Sequence, residues 1–538
     1  MPRARWTAPA ALLLGLCSLA ACSGGGSDPE ASPAKLTTSV PAPTKEVETV
    51  TWNIPTGEPP TLDPAQSTTE PVSTVVSNMC EGLFTFGHDY ERKPALATSV
   101  DHPDPLTYVI TLREGVEFWD GEPVTAEDVV YSAQRILDPE LGSALIGWAA
   151  NVKGISATGD AEITVKLKKP DVLVPNYFAS PAFYVVQKEF AEAAGKDLGT
   201  AEGGVMCTGP YKFGGWEQGQ SITLTRNDSW WNTEVEPKVE NLTFKFVTDP
   251  AAQAAALAGG DLDGQFAVPR AAHGQLADKG NLLFGQSLST TFLGVLKQDG
   301  ALGDPALRQA LQAVIDYQGI IKSVYQGTAQ PLRALVPPSA WGYAEDVFQA
   351  EYDRLPEPAQ DLEKAEKLVA QSAKAKEKIV LAYPTTSEEH TKIAAAIADS
   401  GEQAGLNIEL RPLNSQDYGA IFASPEARAA LDVFLVDGYL DFPEPLTYYV
   451  YFLTGSFYNF AGYSNKAYDA AVSTALGLED PAARAREVAK AQATMAQDLV
   501  NIPIATQHVN VYYGPGLAGL VPRQNYVYTP WAVELGGR

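Results

Sequence analysis

The chain has 538 residues and a formal net charge of -26, with 65 Asp and Glu residues against 39 Lys and Arg residues. This acidic excess argues against nucleic acid and anionic lipid surfaces as electrostatic partners, because both require a basic face. It favours cationic or zwitterionic solutes only mildly, since an acidic surface also keeps a protein soluble.

The N-terminus has the pattern of an export signal. Arg3 and Arg5 precede an apolar run over residues 10–21, which is too short to span a bilayer as a mature helix. The run ends in Leu19-Ala20-Ala21-Cys22, which resembles the bacterial lipoprotein signal, in which the cysteine thiol receives a diacylglycerol and becomes the mature N-terminus. We therefore predict a lipoprotein signal peptide over residues 1–21 and lipidation of Cys22. Plain secretion with Cys22 left free is the alternative.

The segment after the signal is rich in Gly, Ser, Thr, Pro and Ala and lacks hydrophobic periodicity. This composition predicts a disordered tether over residues 22–46. No later stretch approaches eighteen consecutive apolar residues, so we expect the lipid to be the only attachment to the membrane. The remaining roughly 500 residues are enough for about two or three domains.

Strands and helices are predicted to alternate through the first half. Apolar residues at every second position predict three half-buried strands, at Tyr108-Ile110-Leu112, Ile163-Val165-Leu167 and Leu242-Phe244-Phe246. Thr125 has the character of a helix N-cap with Asp128 three residues on, and the helix is continued by Val129, Ala133, Ile136 and Leu137 on one face.

The second half has the same style. Asp304-Pro305 predicts a helix start before an apolar stripe from Leu307 to Ile315, and a second helix carries Leu362, Ala365, Leu368 and Val369. A strand over residues 379–382, a helix around 393–403 and a strand through Leu406, Ile408 and Leu410 predict a βαβ unit. The run Val433-Phe434-Leu435-Val436 is apolar on both faces and predicts a central strand of an α/β sheet.

Two cysteines, Cys80 and Cys207, remain once Cys17 in the signal and Cys22 are set aside. An even pair in an oxidising compartment predicts one disulfide. Two separate buried thiols are the alternative, because sequence alone does not place the two Cα atoms within bonding reach.

Enzyme chemistry lacks its usual motifs. The five histidines stand far apart without metal-ligand spacing, and no phosphate-binding loop, nucleophile elbow or dinucleotide fingerprint is present. Carboxylate pairs such as Asp441 and Glu444 are explained better by the large number of acidic residues than by glycosidase chemistry. We predict no catalytic residues, no metal site and no cofactor.

One long motif carries a family resemblance. Residues 112–129, LREGVEFWDGEPVTAEDV, closely resemble the signature of the family 5 extracellular solute-binding proteins, the dipeptide, oligopeptide and nickel receptors of ABC importers. Further matches follow in the family's order over essentially the whole exported chain: Leu62-Asp63-Pro64, Glu81-Gly82-Leu83, Thr208-Gly209-Pro210-Tyr211, Arg226-Asn227, Trp230-Trp231, Gly260-Asp261-Leu262-Asp263, Leu307-Arg308-Gln309-Ala310-Leu311, Asn459 to Asn465 and Asn501-Ile502-Pro503-Ile504.

The resemblance implies an α/β fold of the periplasmic-binding-protein type II kind, with two lobes joined by a hinge and an extra α+β domain inserted in the first lobe. The expected segments are residues 47–95, 205–290 and 501–538 for lobe I, 96–204 for the inserted domain II, and 291–500 for lobe III. The implied function is to capture a solute between the lobes and deliver it to ABC permease subunits and their ATPases. We expect an extracytoplasmic monomer.

The resemblance also suggests ligand-binding residues. Asp441, just beyond the buried strand, resembles the family's Asp that pairs with a peptide's α-ammonium group, although an Asp that caps a turn before Phe442-Pro443 is an equal alternative. Many members carry Trp three residues before that Asp, whereas here Tyr439 lies two before. Secondary candidates are the loop Ser67 to Pro71, with Thr69 and Glu70 in it, Trp148 in the inserted domain, and Asn459, because comparable regions line the cleft in the peptide receptors. Arg333 or Arg411 are weaker candidates for a ligand carboxylate.

Short peptides or peptide-like solutes are the expected ligands. Within the same class, the alternative is a non-peptide solute such as a nickel chelate, an oligosaccharide or a cationic metabolite, because one fold hosts many ligands. From another class, the alternatives are an extracytoplasmic hydrolase, which needs a polar catalytic cluster in the cleft, and a sensor lipoprotein, which needs a signalling partner.

Overall fold

The computed structural model describes residues 34–87, 89–147 and 151–538, so the signal peptide and Cys22 lie outside the described residues. The strands in chain order are β1 (Val47–Asn53), β2 (Phe84–Phe86), β3 (Arg92–Pro94), β4 (Ala97–Asp104), β5 (Thr107–Leu112), β6 (Val152–Gly159), β7 (Glu162–Leu167), β8 (Tyr211–Glu217), β9 (Ser221–Arg226), β10 (Val239–Lys245), β11 (Gly264–Phe266), β12 (Asn281–Gly285), β13 (Ser289–Val295), β14 (Ala329–Pro331), β15 (Lys378–Pro384), β16 (Asn407–Leu413), β17 (Val433–Tyr439), β18 (Asn501–Gln507), β19 (Val509–Tyr513), β20 (Leu517–Ala518) and β21 (Gly536–Gly537).

Helices connect most of these strands. In chain order they are α1 (Glu70–Val76), α2 (Ala126–Leu137), α3 (Val174–Tyr177), α4 (Lys188–Ala194), α5 (Pro250–Gly259), α6 (Arg270–Leu276), α7 (Pro305–Ala313), α8 (Tyr317–Gly319), α9 (Glu345–Tyr352), α10 (Leu362–Gln371), α11 (Glu388–Gln403), α12 (Ser415–Ala423), α13 (Pro425–Arg428), α14 (Pro445–Val450), α15 (Lys466–Ala475) and α16 (Pro481–Asp498).

Two large sheets define two lobes. The first lobe, residues 34–285 and 509–538, contains a seven-stranded sheet in the order β12-β19-β11-β1-β10-β9-β8 and a four-stranded antiparallel sheet in the order β4-β5-β7-β6. The second lobe, residues 289–507, contains a six-stranded sheet in the order β14-β18-β13-β17-β15-β16. The fold is α/β with two lobes, as predicted.

The predicted central strand is β17, which lies between β13 and β15 in the six-stranded sheet. Its first four residues are buried on both faces: Phe434 and Val436 pack into one core cluster, and Val433 and Leu435 into another. This double burial explains the continuous apolar run. The neighbouring β15 and β16 run parallel and are joined by α11, which confirms the βαβ unit.

Helix starts follow the capping chemistry of the sequence. The Thr125 hydroxyl accepts a hydrogen bond from the Asp128 amide at 3.2 Å, and the Asp128 carboxylate accepts one from the Thr125 amide at 3.0 Å, which completes a capping box at the start of α2. Asp304 caps α7 in a similar way, with Pro305 at the first helical position. Each such cap contributes about 1 kcal/mol to helix stability.

Over residues 47–538, as far as they are described, the chain crosses between the lobes twice. It leaves the first lobe through residues 286–288, between β12 and β13, and returns through His508, between β18 and β19. The predicted return at residue 501 is therefore wrong, because residues 501–507 pair with β13 and β14 inside the second sheet. The change of sheet also falls at 286–288 rather than after residue 290.

The predicted disordered tether is wrong for residues 34–46. The Ala34 amide donates to the Gly327 carbonyl of the second lobe at 3.0 Å, and the Thr37 amide donates to Phe284 of the first lobe at 2.7 Å. The Thr44 amide donates to Gly537 at 2.8 Å. Composition pointed to a solvated chain, but these backbone bonds to both lobes hold the segment in place.

The lobes meet along a hydrophobic seam. Phe442, in the loop after β17, leaves its own lobe and packs into the core beneath the four-stranded sheet, where its ring lies 6.0 Å from Phe86 and 5.9 Å from Tyr177. The Val172 amide donates to the Leu476 carbonyl across the same boundary at 3.0 Å. A cavity adjoins this seam.

Candidate functional site

A cavity of about 480 Å³ lies between the two lobes. The first lobe contributes Thr68, Ala144, Leu145 and Tyr528 to its wall, and the second lobe contributes the rest. This volume falls in the range of small-molecule sites in proteins. The cavity shows that the seam leaves room for a ligand between the lobes.

The end of β17 forms one side of the cavity. Val436, Asp437, Gly438 and Tyr439 all line it. Gly438 is required by close packing, because a Cβ atom there would lie 1.6 Å from the Tyr448 hydroxyl oxygen. β17 runs parallel to β15, so the cavity lies beyond the carboxyl end of a parallel pair, where ligands of α/β sheets usually bind.

Asp441 brings a poorly satisfied carboxylate to the cavity. Its Oδ1 accepts a hydrogen bond from the Tyr528 hydroxyl at 2.5 Å, and among the described residues no other donor reaches it. Burial raises the pKa of Asp441 to about 6, and this hydrogen bond opposes the rise. The carboxylate is therefore half-buried, ionised at neutral pH and short of partners.

Tyrosines surround this carboxylate. The charge on Asp441, together with burial, raises the pKa of Tyr439 to about 12. Burial, aided by the same charge, raises the pKa of Tyr451 and of Tyr528 above the usual range. These phenols stay protonated at neutral pH, so they present hydroxyl donors and ring faces, both of which suit a bound ammonium group and its neighbours.

Asp437 also lines the cavity, but its charge is already compensated. Its carboxylate lies 3.1 Å from His390 Nε2 and accepts from the Thr291 hydroxyl at 2.5 Å. These partners and the nearby Arg270 outweigh burial and lower the pKa of Asp437. Arg270, from the first lobe, also pairs with Glu389 of the second lobe at 3.2 Å. Asp437 thus belongs to a network that joins the lobes.

Of three further residues predicted to bind the ligand, two line the cavity and one lies outside the described residues. Tyr439 lines the cavity and is 55% exposed. Asn459 also lines it, but its side-chain amide bonds to the backbone of Leu453 and Tyr463, so its polar atoms serve the loop itself. Trp148 lies outside the described residues.

Two other predicted residues do not reach the cavity. Thr69 is the N-cap of α1, and Glu70 at the first turn bonds to Thr56, Thr74 and Tyr526 instead. Their neighbour Thr68 lines the wall in their place. Neither residue lines this cavity, because α1 directs this turn toward first-lobe partners, and their role in ligand binding stays a prediction.

Most residues of the cavity wall were not predicted from the sequence. Aromatic residues of β17, of α14 and of the loop that follows α14 form much of the lining: Phe434, Tyr448, Tyr451, Phe452, Tyr458 and Phe460. The dense aromatic run over residues 448–452 was a visible signal. Tyr528 was not predictable, because 87 residues separate it from its partner Asp441.

The two arginines considered for a ligand carboxylate are engaged elsewhere. Arg333 donates to Glu357 at 2.7 Å and stacks over the Tyr352 ring. Arg411 donates to Glu409 at 2.7 Å. Neither lines the cavity.

A second cavity of about 500 Å³ lies within the first lobe and contains the buried Glu81. Its carboxylate accepts hydrogen bonds from Thr208 at 2.7 Å, Trp231 at 3.0 Å and Trp230 at 3.2 Å. Burial still raises the pKa of Glu81, while these donors and the charge of Arg113 oppose the rise. Glu81 is a buried carboxylate whose partners come from the protein.

Next to Glu81, Cys80 and Cys207 form the predicted disulfide, with Cα atoms 5.0 Å apart. The bond joins the two ends of a segment that contains the four-stranded sheet. In the described ranges, no group of three or more His, Cys, Asp or Glu side chains is placed to hold a metal ion.

A two-lobed α/β fold with an interlobe cavity is the architecture of a type II periplasmic binding protein. The substrate-binding protein CtaP of an ABC transporter from Listeria monocytogenes superposes with a TM-score of 0.80 at 23% identity, over 92% of this chain and 100% of that chain. At this identity the likeness establishes the fold.

The family model for bacterial extracellular solute-binding proteins, family 5, matches residues 91–460. Protein XP55 of Streptomyces lividans is 28% identical over 512 residues, which cover 91% of this chain and 90% of that protein. The dipeptide-binding protein DppE of Bacillus subtilis is 26% identical over 469 residues, covering 83% and 84%. The chain belongs to the family 5 extracellular solute-binding proteins.

Members of this family are solute-binding proteins of ABC importers, which are an extracytoplasmic class of protein and not a class of enzyme. Throughout the described ranges, no helix combines the length and the apolar character needed to cross a membrane.

Proposed function

We propose that this chain is the lipid-anchored substrate-binding component of an ABC importer and that it captures short peptides or peptide-like solutes in the interlobe cavity. Asp441 pairs with the ammonium group of the ligand, and Tyr439, Tyr451 and Tyr528 surround that group. The closed complex is then delivered to the membrane permease.

The observation that carries this proposal is the state of Asp441. An ionised carboxylate that is half-buried in a cavity and has a single protein donor is costly unless another partner arrives. A ligand ammonium group supplies both the opposite charge and several hydrogen-bond donors. The name of the relative DppE, a dipeptide-binding protein, supports a peptide ligand.

The lobes and their connections suit a closing device. Two crossings, at residues 286–288 and at His508, join the lobes, so rotation about a few backbone bonds would open or close the cavity. We also propose that residues 96–204, with the four-stranded sheet, act as the inserted domain of lobe I. This domain supplies Ala144 and Leu145 to the cavity wall.

The central experiment is a melting assay on protein that starts near residue 34, with peptides, sugars and metal chelates as ligands. A ligand that binds only the folded state raises the melting temperature, and the stabilisation grows with the logarithm of its concentration over Kd. We expect peptides with a free amino terminus to raise it. If sugars alone do so, the peptide assignment is wrong.

The role of Asp441 is tested by Asp441→Asn, which keeps the shape of the side chain and removes its charge. We expect the affinity for an amine ligand to fall by about 2 kcal/mol or more, which is roughly 30-fold, because a partly buried ion pair is broken. Asp346→Asn, at an exposed position in α9, is the matched control. Equal affinity of both variants with the unaltered protein would remove the role of Asp441.

The lipid anchor has its own test. Cys22→Ser should release the protein from the membrane fraction, because the acylated thiol is lost. Cys17→Ser, within the predicted signal peptide, is the control that should leave the protein attached. Retention of the Cys22→Ser protein in the membrane fraction would contradict lipidation at this residue.

A further inference from the structure

The described residues that line the interlobe cavity carry charge of one sign only. Asp437 and Asp441 line it, and no Lys, Arg or His is found among its lining residues in the described part of the chain. This holds for both walls, since the first lobe presents Thr68, Ala144, Leu145 and Tyr528. Among the described lining residues, a ligand held between the lobes therefore meets no cationic side chain.

Only one of these carboxylates awaits a partner. Asp437 is held by His390, Thr291 and the nearby Arg270, whereas Asp441 accepts from Tyr528 alone among the described residues. The cavity therefore has one uncompensated negative charge. Electrostatic complementarity therefore favours a ligand that has one positive group next to Asp441 and no negative group elsewhere.

Much of the remaining wall is aromatic. Tyr458, Phe460, Phe452 and Phe434 line it, and Tyr458 is 46% exposed at its rim. Arg428, beside this wall, stacks on the Phe460 ring with its guanidinium carbon 4.4 Å from the ring centroid, and it donates to the Ile421 carbonyl at 2.5 Å. A carboxylate placed against this wall would lose water and find no cation or donor cluster in exchange.

We propose that the cavity selects hydrophobic monocations without a carboxylate: peptide amides and related aromatic amines, rather than zwitterionic peptides. This inference rests on the proposed function and narrows its ligand class. The ammonium group binds at Asp441 among the tyrosines, and the aromatic or aliphatic body of the ligand packs on Tyr458, Phe460 and Phe452. The C-terminal end carries no charge.

The test compares three ligands that differ in one group each. Calorimetric titration at pH 7.5 uses phenylalanyl-phenylalanine amide, the same dipeptide as the free acid, and the N-acetylated amide. We expect the amide to bind at least tenfold more tightly than the free acid, and the acetylated amide to bind at least tenfold more weakly than the amide. The protein is the chain from residue 34 onward.

The outcomes separate this inference from the function beneath it. A free acid that binds as tightly as the amide overturns the preference and leaves amine capture intact. An acetylated amide that binds as tightly as the amide overturns the ammonium assignment. Failure of all three ligands to bind overturns both the inference and the peptide function.

A charge placed in the wall provides the reciprocal test. Tyr458→Lys adds a cation at the rim, and we expect it to improve binding of the free acid at least tenfold relative to the amide. Phe457→Lys is the matched control, because Phe457 is 69% exposed beside Tyr458 and does not line the cavity. An unchanged preference in Tyr458→Lys, with an unchanged melting temperature, would overturn the electrostatic account.

Discussion

Two carboxylates, Glu81 and Asp441, have been taken out of water in different cavities, and they differ in who supplies their partners. Burial raises the pKa of both. Glu81 accepts from Thr208, Trp230 and Trp231, all within the first lobe. Asp441 accepts from Tyr528 alone among the described residues, across the boundary between the lobes.

The difference separates structure from function. A buried acid that is saturated by its own protein stabilises the local fold and has no capacity left for a ligand. A buried acid with one donor reduces the stability of the empty protein, so its partner has to come from outside. Variants at the two sites should therefore have opposite effects on the stability of the empty protein.

Removal of the Cys80–Cys207 disulfide, next to Glu81, should have the largest effect on stability. The bond closes a segment with a sequence separation of 127 residues. The chain-entropy account gives about 5 kcal/mol of stabilisation for a loop of this length. We expect the double Cys80→Ser, Cys207→Ser variant to lose stability of that order in chemical denaturation, while its affinity at 25 °C stays unchanged. A loss of affinity without a loss of stability would show that the disulfide serves ligand binding rather than the stability of the fold.

Glu81→Gln should destabilise the protein by about 2–3 kcal/mol, because the amide nitrogen cannot accept from the hydroxyl and indole donors that face it. The measurement is the free energy of unfolding, with ligand affinity measured on the folded variant. We expect that affinity to be unchanged. Unchanged stability together with weakened binding would reverse the distinction between the two carboxylates.

Asp441→Asn should stabilise the empty protein at pH 8. Burial raises the pKa of Asp441 to about 6 in the folded state, above its value of about 4 in the unfolded chain. Between about pH 4 and pH 6 the folded state binds more protons than the unfolded state, so stability falls as the pH rises through this range. Above about pH 6 the full loss of stability is present. The variant should gain about 1–3 kcal/mol at pH 8 and nothing at pH 3.5.

The same pKa sets the acid limit of binding. An amine ligand needs the ionised carboxylate, so its affinity should fall as pH decreases through about 6. Denaturation at the two pH values and titration across pH 5–8 provide the measurements. An equal gain in stability at pH 3.5 and pH 8 would show that the charge is not responsible.

Tyr528→Phe should have the smallest effect. It removes the donor that favours the ionised form of Asp441, which is worth about 1 kcal/mol, so the acid limit of binding should move up by about 0.5–1 pH unit. Tyr451→Phe is the control, because this tyrosine lines the same cavity while Tyr528 donates the hydrogen bond to Asp441. Equal pH profiles for both variants would assign no role to that hydrogen bond.

Local chemistry in the sequence predicted much of the fold. The capping box at Thr125 and Asp128, the Asp304-Pro305 helix start and the doubly buried β17 all depend on neighbours within a few residues. The position of the return to the first sheet was predicted wrongly, because Asn501–Gln507 is as apolar as a strand of either sheet. Only its pairing with β13 decides between them.

The site was predictable only in part. Asp441 and Tyr439 could be predicted because they come at or just after the end of the apolar strand β17, and both line the cavity. Thr69 and Glu70 were predicted because their loop resembles a region that lines the cleft in the peptide receptors. In the structure they lie at the start of α1, which directs them away from the cavity. The aromatic wall and Tyr528 depend on how distant segments meet, and no local pattern in the sequence specifies that.

Phe442 follows Asp441 directly, and its ring is buried in the other lobe between Phe86 and Tyr177. Separation of the lobes would withdraw this ring into water at a cost of about 1.5–3 kcal/mol. One short loop would therefore act as a latch whose release precedes exchange of cargo. The rate of ligand release would then depend on how readily Phe442 leaves its packing site between Phe86 and Tyr177, as well as on the affinity for the ligand.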